Sequence, residues 1–438
     1  MVHRSDADPF QANIYMKKTK SFTSFYKFEE FLNSLGLFRM KLGLERMKKG
    51  LELLGIRPDG VPLVQIVGTN GKGSTACFLE AIARKHGLRT GLYTSPHLVS
   101  PKERIRVNSS VLSGAVWLDA ANRVLEACRC LDLSYFEFLT LMAVLIFRQE
   151  KVDLAIMEAG LGGRHDATSA LDPVLNVFTS TGLDHTHILG STLEKIAMDK
   201  SMAMKGAPAV LARQEAEAME VFRARALKTG AVIHSVQDHF HFERGGLSVK
   251  AFTEIGPEFC LNGFEGSYQM ENAALALLGW KVLAAQAGYP FDPWACASGL
   301  KTAFWPGRLH LVSRNPLVML DGAHNTQAMT ALKASLDALG IRPGTIVFSC
   351  LGDKDVVGMS AVLEDMGAET LLIPSIGENP RAMPARELVL RLGGRASVLE
   401  DAAGYLRGLK KDNGPVLVCG SLYLLGEIYR AFPGWLRR

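Results

Sequence analysis

The sequence predicts an α/β protein of two units, each built on a mostly parallel sheet. Three observations carry this. Short apolar runs alternate with stretches whose apolar positions recur at helical spacing, the rhythm of buried parallel strands and covering helices. A chain of 438 residues exceeds one ordinary core. The rhythm also breaks at Phe304-Trp305-Pro306-Gly307-Arg308, where Pro and Gly read as a hinge, and then restarts. The expected units are 1–300 and a smaller 301–438.

In chain order, residues 1 to about 25 show no pattern and are expected to form a loose arm. Phe31, Leu32 and Leu35, then Leu44, Met47, Leu51 and Leu54, recur at helical spacing and give two helices punctuated by Gly36 and Gly43. Residues 61–67 read as a buried strand followed by a glycine-rich turn. A helix with Phe78, Leu79, Ile82 and Ala83 on one face then ends near Gly87, and 88–94 form the next strand. This is a βαβ unit with an expected right-handed crossover. Runs 152–157 and 174–180 are further buried strands. Residues 231–261 alternate around Gly245-Gly246 and suggest a small antiparallel insertion. Helices over 269–287 and 293–303 lead to the hinge. Beyond it, strands at 316–320, 345–350, 370–374 and 415–419 alternate with helices at 326–339, 356–366, 384–392, 401–411 and 421–431.

Composition, 48% hydrophobic and 21% charged, is that of a soluble globular protein. A formal charge of +5 suits an anionic small molecule and is too weak to argue for nucleic acid. Lys17, Lys18, Lys20, Arg39, Lys41, Arg46, Lys48 and Lys49 cluster early, as either a solvated helix face or a binding patch. Seven scattered cysteines without a C-x-x-C pair indicate neither zinc nor a disulfide framework. No apolar signal core opens the chain, and the longest apolar stretch, 139–147, is far short of the ~20 residues of a membrane helix. A cytoplasmic protein with no membrane partner is expected.

The strongest local signal is Gly68-Thr69-Asn70-Gly71-Lys72-Gly73-Ser74 between a strand and a helix. Phosphate binding needs inward N–H groups, glycines that allow close approach, and a lysine for the outer phosphates. The general P-loop spacing is not met, since Ile66 and Gly73 stand at two of its fixed positions. Ligands of parallel sheets collect beyond the carboxyl ends of the strands. There stand Ser95, Glu158 and Asp184-His185. A hydroxyl, a carboxylate and an imidazole from three strand ends could share one Mg²⁺ beside a triphosphate. Each alone could equally be a satisfied structural residue.

The strings GTNGKGS, TSPHL (94–98), YFEFLT (135–140), EAGLGGRHDAT (158–168), GLDHTHILGSTLEKIA (182–197), PGRL (306–309), DGAHN (321–325) and GSLYLLGE (420–427) resemble those of the folylpolyglutamate synthase and dihydrofolate synthase family of the Mur ligase superfamily. The resemblance runs from about residue 42 to the C-terminus. It implies a P-loop-type N-terminal domain with a mostly parallel sheet and a smaller Rossmann-like C-terminal domain. It also implies an ADP-forming ligase of folate biosynthesis and one-carbon metabolism, usually monomeric. ATP phosphorylates the carboxylate of dihydropteroate or a reduced folate, and the amine of L-glutamate attacks the acyl phosphate.

By the family's pattern Asn70, Gly71, Lys72, Gly73 and Ser74 hold phosphates, and Ser95, Glu158 and His185 form a first Mg²⁺ site. Lys200 falls where the family has a CO₂-carbamylated lysine that serves a second Mg²⁺; by inspection alone it could be an ordinary solvated lysine. Lys72, Glu158, His185 and Lys200 are the catalytic set so implied. Asn272, Arg308 and Asp321 resemble further ATP contacts. His324 and Asn325 would border the substrate cleft, or serve as cap or turn residues. The pterin side would involve Tyr135, Phe136, Glu137, Asp166 and Ala167, although the aromatics could be core.

Departures from the pattern are Tyr268 for a histidine, Thr326 for a proline, Ser169 for an asparagine, and Asp199-Lys200-Ser201 for Glu-Lys-Ala. None removes a proposed metal or phosphate ligand. Two other readings compete. A ligase for UDP-linked substrates expects a uridine-binding domain ahead of the loop, for which the 67 residues before Gly68 are thin. A non-catalytic nucleotide-binding protein is opposed by the filled catalytic positions.

Overall fold

The computed structural model describes residues 19–36, 41–57, 60–243, 246–248, 267–377 and 379–436. The first sheet comprises β1 (Leu63–Val67), β2 (Thr90–Tyr93), β3 (Ile105–Val107), β4 (Ser110–Val111), β5 (Leu154–Glu158), β6 (Leu175–Phe178), β7 (Ala209–Leu211) and β8 (Ile233–Ser235). Their order is β4-β3-β2-β5-β1-β6-β7-β8. From β2 to β8 every pairing is parallel; β3 and β4 add antiparallel to the β2 edge. β1, β2, β5 and β6 are buried along their whole length, which is why each reads as a mostly apolar run, with Gln65, Thr90, Glu158 and Asn176 as the buried polar members. The parallel strands therefore deliver their carboxyl ends to one edge.

Helices cover both faces of this sheet. On one, Lys72–Lys85 packs against Ser267–Ala287 and Pro293–Thr302, and joins Val64, Ile66, Leu79, Ile82, Leu275, Trp280 and Leu300 in one core. The approach is close: a Cβ on Gly299 would stand 2.8 Å from the Ile82 Cα. Gly299→Ala would therefore force the two helices apart. On the other face Phe25–Ser34, Gly114–Ala127 and Tyr135–Gln149 bury Phe28, Phe31, Trp117 and Phe138, with Phe31 and Phe138 in edge contact at 5.2 Å. Each such ring contributes about 1.5–3 kcal/mol by leaving water.

The second sheet comprises β11 (His310–Arg314), β12 (Leu317–Leu320), β13 (Thr345–Phe348), β14 (Thr370–Pro374), β15 (Ala396–Leu399) and β16 (Val416–Cys419), after a short antiparallel pair β9 (His241–Glu243) and β10 (Gly246–Ser248). Its order is β11-β12-β16-β13-β14-β15, parallel except for β11. Separate cores form on its two faces. The expected α/β architecture with two mostly parallel sheets is present.

Several expectations are corrected. β5 lies between β1 and β2, so the first βαβ crossover spans a neighbour. Residues 233–235 are a parallel edge strand of the first sheet; of the expected antiparallel insertion the pair 241–243 and 246–248 is seen, and 244–245 and 249–266 lie outside the described residues. Of the expected loose arm, 1–18 are outside the described residues. Phe22 is docked: its ring is buried against Phe28 and Phe31, and its N–H donates to Asn122 Oδ1 at 2.6 Å. Of the early cations, Lys17, Lys18 and Arg39 lie outside the described residues, while Lys41, Arg46, Lys48 and Lys49 pair with Asp132, Glu137, Glu45 and Glu52, which makes this part a neutralised face.

Candidate active site

A cavity of about 780 Å³ lies between the two sheets, lined by residues of both. Into it opens the loop that follows β1. Gly71 takes φ of 86° and caps helix Lys72–Lys85. A Cβ there would collide with Asn272 Oδ1, and one on Gly73 would stand 2.9 Å from Trp305 Nε1. Only glycine fits either position, because the backbone must turn left-handed at the first and pass close to an indole at the second. The result is a helix N-terminus whose leading N–H groups face open space, a ready anion site. Ser74 Oγ and Thr75 Oγ1 are buried with no hydrogen-bond partner, as groups awaiting a ligand would be. Lys72 Nζ meanwhile donates to the Gly68 and Thr69 carbonyls at 3.2 and 3.1 Å. Burial lowers its pKa, and the charges of Glu158 and Asp184 partly oppose that.

Glu158, the last residue of β5, is buried beside this loop, and the Ser95 N–H donates to its Oε2 at 2.9 Å. Burial pushes the carboxyl up and nearby Lys72 pulls it down, less strongly. A carboxylate with one hydrogen bond in a dry site calls for a cation. Lys200, on helix Leu193–Ser201, is also buried and donates to the Gly68 carbonyl at 2.7 Å. Burial, reinforced by the Lys72 charge, brings its pKa down to about 7. It is no solvated surface lysine. His185 sits at φ 50° and caps the short turn after Asp184; burial lowers it to about 4.

From the second unit, Asp321 follows β12 with both oxygens engaged. Oδ2 accepts from Tyr268 Oη at 2.5 Å and Leu309 N at 2.8 Å, and Oδ1 from Ala323 N at 2.8 Å. Tyr268 thus fills its unusual position by hydrogen-bonding Asp321. Asn325 caps helix Thr326–Ala338 by accepting from Ala328 N, and its Nδ2 donates to Asn70 Oδ1 and Asp184 Oδ2, both at 3.0 Å. Asn70 Nδ2 returns bonds to Asn325 Oδ1 at 3.3 Å and Gln327 Oε1 at 2.9 Å. His324 Nδ1 lies 2.7 Å from the Gly322 carbonyl, which can only accept, so the proton belongs on Nδ1 and Nε2 is left as an acceptor. Burial lowers this ring to about 4. Arg308 borders the cavity and packs tightly against Gly322.

Tyr135 and Phe136 open helix Tyr135–Gln149 and line the same cavity, as do Glu137, Asp166 and Ala167. The carboxylates here have local tasks. Glu137 completes a capping box with Ser134 and pairs with Arg46 at 3.0 Å. Asp166 accepts from Gly160 N at 2.7 Å, Leu161 N at 3.1 Å and both Thr168 donors, which shapes the loop after β5. Burial nevertheless pushes Asp166 above its usual range.

Every sequence-predicted site residue except Asn325 is on the cavity wall, and Asn325 is one hydrogen bond behind it. Asn272 lies behind Gly71, with its Nδ2 donating to Gln269 Oε1. Sequence reasoning missed Lys354, which pairs with Asp184 at 2.5 Å across the cleft, 170 positions away. Burial would raise Asp184, but His324, His185 and Lys354 hold it well below the usual carboxylate range. A lone loop lysine gives no signal in a single sequence. Among the described residues no three His, Cys, Asp or Glu side chains group as a metal cluster. The proposed set has only two such side chains, Glu158 and His185, with a hydroxyl. Also among the described residues, no helix is long and apolar enough to cross a membrane.

Comparison with known proteins agrees with this geometry. Residues 307–422 match the model of the Mur ligase, glutamate ligase domain. The folylpolyglutamate synthase of Lacticaseibacillus casei is 32% identical over 387 residues, 85% of this chain and 90% of that protein. The dihydrofolate synthase/folylpolyglutamate synthase of Bacillus subtilis (strain 168) is 34% identical over 382 residues, 83% of this chain and 88% of that protein. Among solved structures, Escherichia coli FolC in complex with DHPP and ADP superposes with a TM-score of 0.85 at 28% identity, covering 96% of this chain and 100% of that one. Sequence likeness over most of the chain and the shared two-sheet fold thus point to proteins of one kind: the chain belongs to the folylpolyglutamate synthase/dihydrofolate synthase family of ATP-dependent ligases.

Proposed function

We propose that this enzyme joins L-glutamate to the carboxylate of dihydropteroate, of a reduced folate, or of both, with ATP converted to ADP and phosphate. The observation that carries the reading is that one cavity combines an anion-binding glycine loop, the cations Lys72 and Arg308, the buried acid Glu158 and the aromatic wall of Tyr135 and Phe136. In the reaction the acceptor carboxylate takes the γ-phosphoryl group, and ADP leaves. The amine of glutamate then attacks the acyl carbon, a C–N bond forms, the C–O bond to phosphate breaks, and one proton departs. Such chemistry asks chiefly for alignment and charge neutralisation.

Asn70 to Ser74 cradle the phosphates, with Asn272 fixing the loop and Asp321 fixing the strand end that carries Arg308. His324 Nε2, left as a hydrogen-bond acceptor on the cleft wall, orients the amine by accepting from it. Magnesium, when bound, supplies positive charge to the phosphoryl oxygens. Ser95, Glu158 and His185 would hold one ion, and a carbamate on Lys200 would serve a second. An amine with a pKa of about 7 is substantially neutral at physiological pH, the form that adds to CO₂. A monomeric state, the division into 1–300 and 301–438 and a cytoplasmic location belong to the same reading.

The test is a paired assay of the purified protein with magnesium, ATP and L-glutamate, offering dihydropteroate or tetrahydrofolate. A product heavier by one glutamyl unit, with phosphate release requiring all three substrates, is expected. Tight nucleotide binding without any heavier product sinks the proposal.

A further inference from the structure

Arg104 is a cation of the cleft that the reaction above leaves without a role. It is 3% exposed yet borders the cavity. It closes the turn Pro101–Arg104, which a capping box between Ser100 and Glu103 holds in place. Its Nε donates to His97 Nδ1 at 2.9 Å, and its guanidinium lies 5.3 Å from the centre of the Tyr135 ring. Among the described residues it has no carboxylate within ion-pair distance and no other side-chain hydrogen bond. Two other cleft cations are neutralised: Lys354 by Asp184 at 2.5 Å and Arg381 by Asp353 at 2.6 Å. Arginine cannot shed its charge. A buried guanidinium with two terminal amines unspent is costly unless a ligand brings the anion.

The reacting carboxylate is not the natural candidate for that anion. It must lie with the γ-phosphoryl group beside Lys72 and Arg308, where the Arg308 charge is felt by Lys72 and His324. The Arg104 charge acts instead on Tyr93, Tyr135 and Tyr423, and Glu158 feels it less than that of Arg308. A second carboxylate on the same acceptor fits this place. We infer that Arg104 holds the non-reacting α-carboxylate of an acceptor that already ends in glutamate, and so sets the preference for such acceptors over those with a single carboxylate. The inference rests on the proposed glutamate-adding activity.

The experiment measures KM and kcat of the full-length wild type and of Arg104→Gln with three acceptors: a reduced folate monoglutamate, its α-carboxamide, and dihydropteroate. Loss of a charged hydrogen-bonded pair raises KM on the order of 10- to 100-fold. That rise is expected for wild type on exchanging α-carboxylate for carboxamide, and for Arg104→Gln on the α-carboxylate acceptor, with kcat changed less. The variant should match wild type on the carboxamide and on any use of dihydropteroate. An equal penalty on all acceptors overturns the inference, since Arg104 would then serve the fold or the reacting group. Equal use of carboxylate and carboxamide by wild type overturns it without any variant. Wild type that adds glutamate to none of them overturns the proposed function as well, a separate result.

Discussion

Two buried carboxylates at strand ends, one in each half of the molecule, behave in opposite ways. Glu158 ends β5 at 3% exposure with one hydrogen bond, from Ser95 N. Asp321 follows β12 at 2% exposure with three donors converging on it. The same chemical group is left hungry in the first unit and fully fed in the second. Around Glu158 the pattern repeats, with unpartnered hydroxyls on Ser74, Thr75, Thr179 and Thr181 and a lysine partly stripped of its charge by burial. The unsatisfied acid is placed for a ligand, and the satisfied one holds the geometry steady.

Substitution of the two acids breaks or sharpens this contrast most directly. Glu158→Gln should lower kcat on the order of 10²–10³-fold while chemical denaturation shows little loss of stability, because an under-solvated carboxylate has been removed. Asp321→Asn should do the reverse, costing about 2–3 kcal/mol of folding stability through weakened charged hydrogen bonds. Equal stability losses in the two variants would erase the distinction.

Gly71→Ala comes next. The new methyl would meet Asn272 and the φ of 86° is unfavourable to alanine, so nucleotide binding by calorimetry should weaken on the order of 10- to 100-fold as the loop shifts. Asn325→Ala probes the seam between the halves. It removes a helix cap, worth about 1 kcal/mol, and the bonds to Asn70 and Asp184. A lower melting temperature together with a higher KM for ATP is the expected pair of readings.

The smallest effect belongs to His310, far from the unsatisfied side and hydrogen-bonded to Tyr429 Oη at 2.7 Å. Burial lowers its pKa from 6.5 to about 4. The unfolded chain therefore binds more protons than the folded one between those values, so stability falls as pH drops through that window. The ring is partly exposed, so the contribution is on the order of 1 kcal/mol after screening. His310→Gln should flatten that part of a stability-versus-pH curve.

How much was legible in the sequence follows the same division. Central strands such as β1, β5 and β16 were plain because both faces are buried and the residues are mostly apolar, Gln65 and the terminal Glu158 excepted. Strands β3, β4, β7, β11 and β15 were missed; the edge strands β4, β11 and β15 are mostly half-exposed or exposed and carry no such run, and the inner strands β3 and β7 have only three residues each. The glycine loop, Ser95 and Glu158 stand in motif strings, and Lys200, just beyond one, was singled out only through the family resemblance. The partners that pin them were not readable. Lys354 reaching Asp184, or Trp305 lying on Gly73, are contacts between distant positions that only folding brings together.

The reciprocal amide clasp of Asn70 and Asn325 also bears on how the enzyme ages. Asn70 precedes a glycine, and in such a pair the unhindered backbone nitrogen attacks the side-chain amide readily, closing a ring that hydrolyses to aspartate or its isomer. Here both amide atoms of Asn70 are held by the opposite unit, so the side chain is not free to swing onto the next nitrogen. The contact that joins the halves thereby spares the phosphate loop a slow chemical conversion that would plant a negative charge where phosphates must sit.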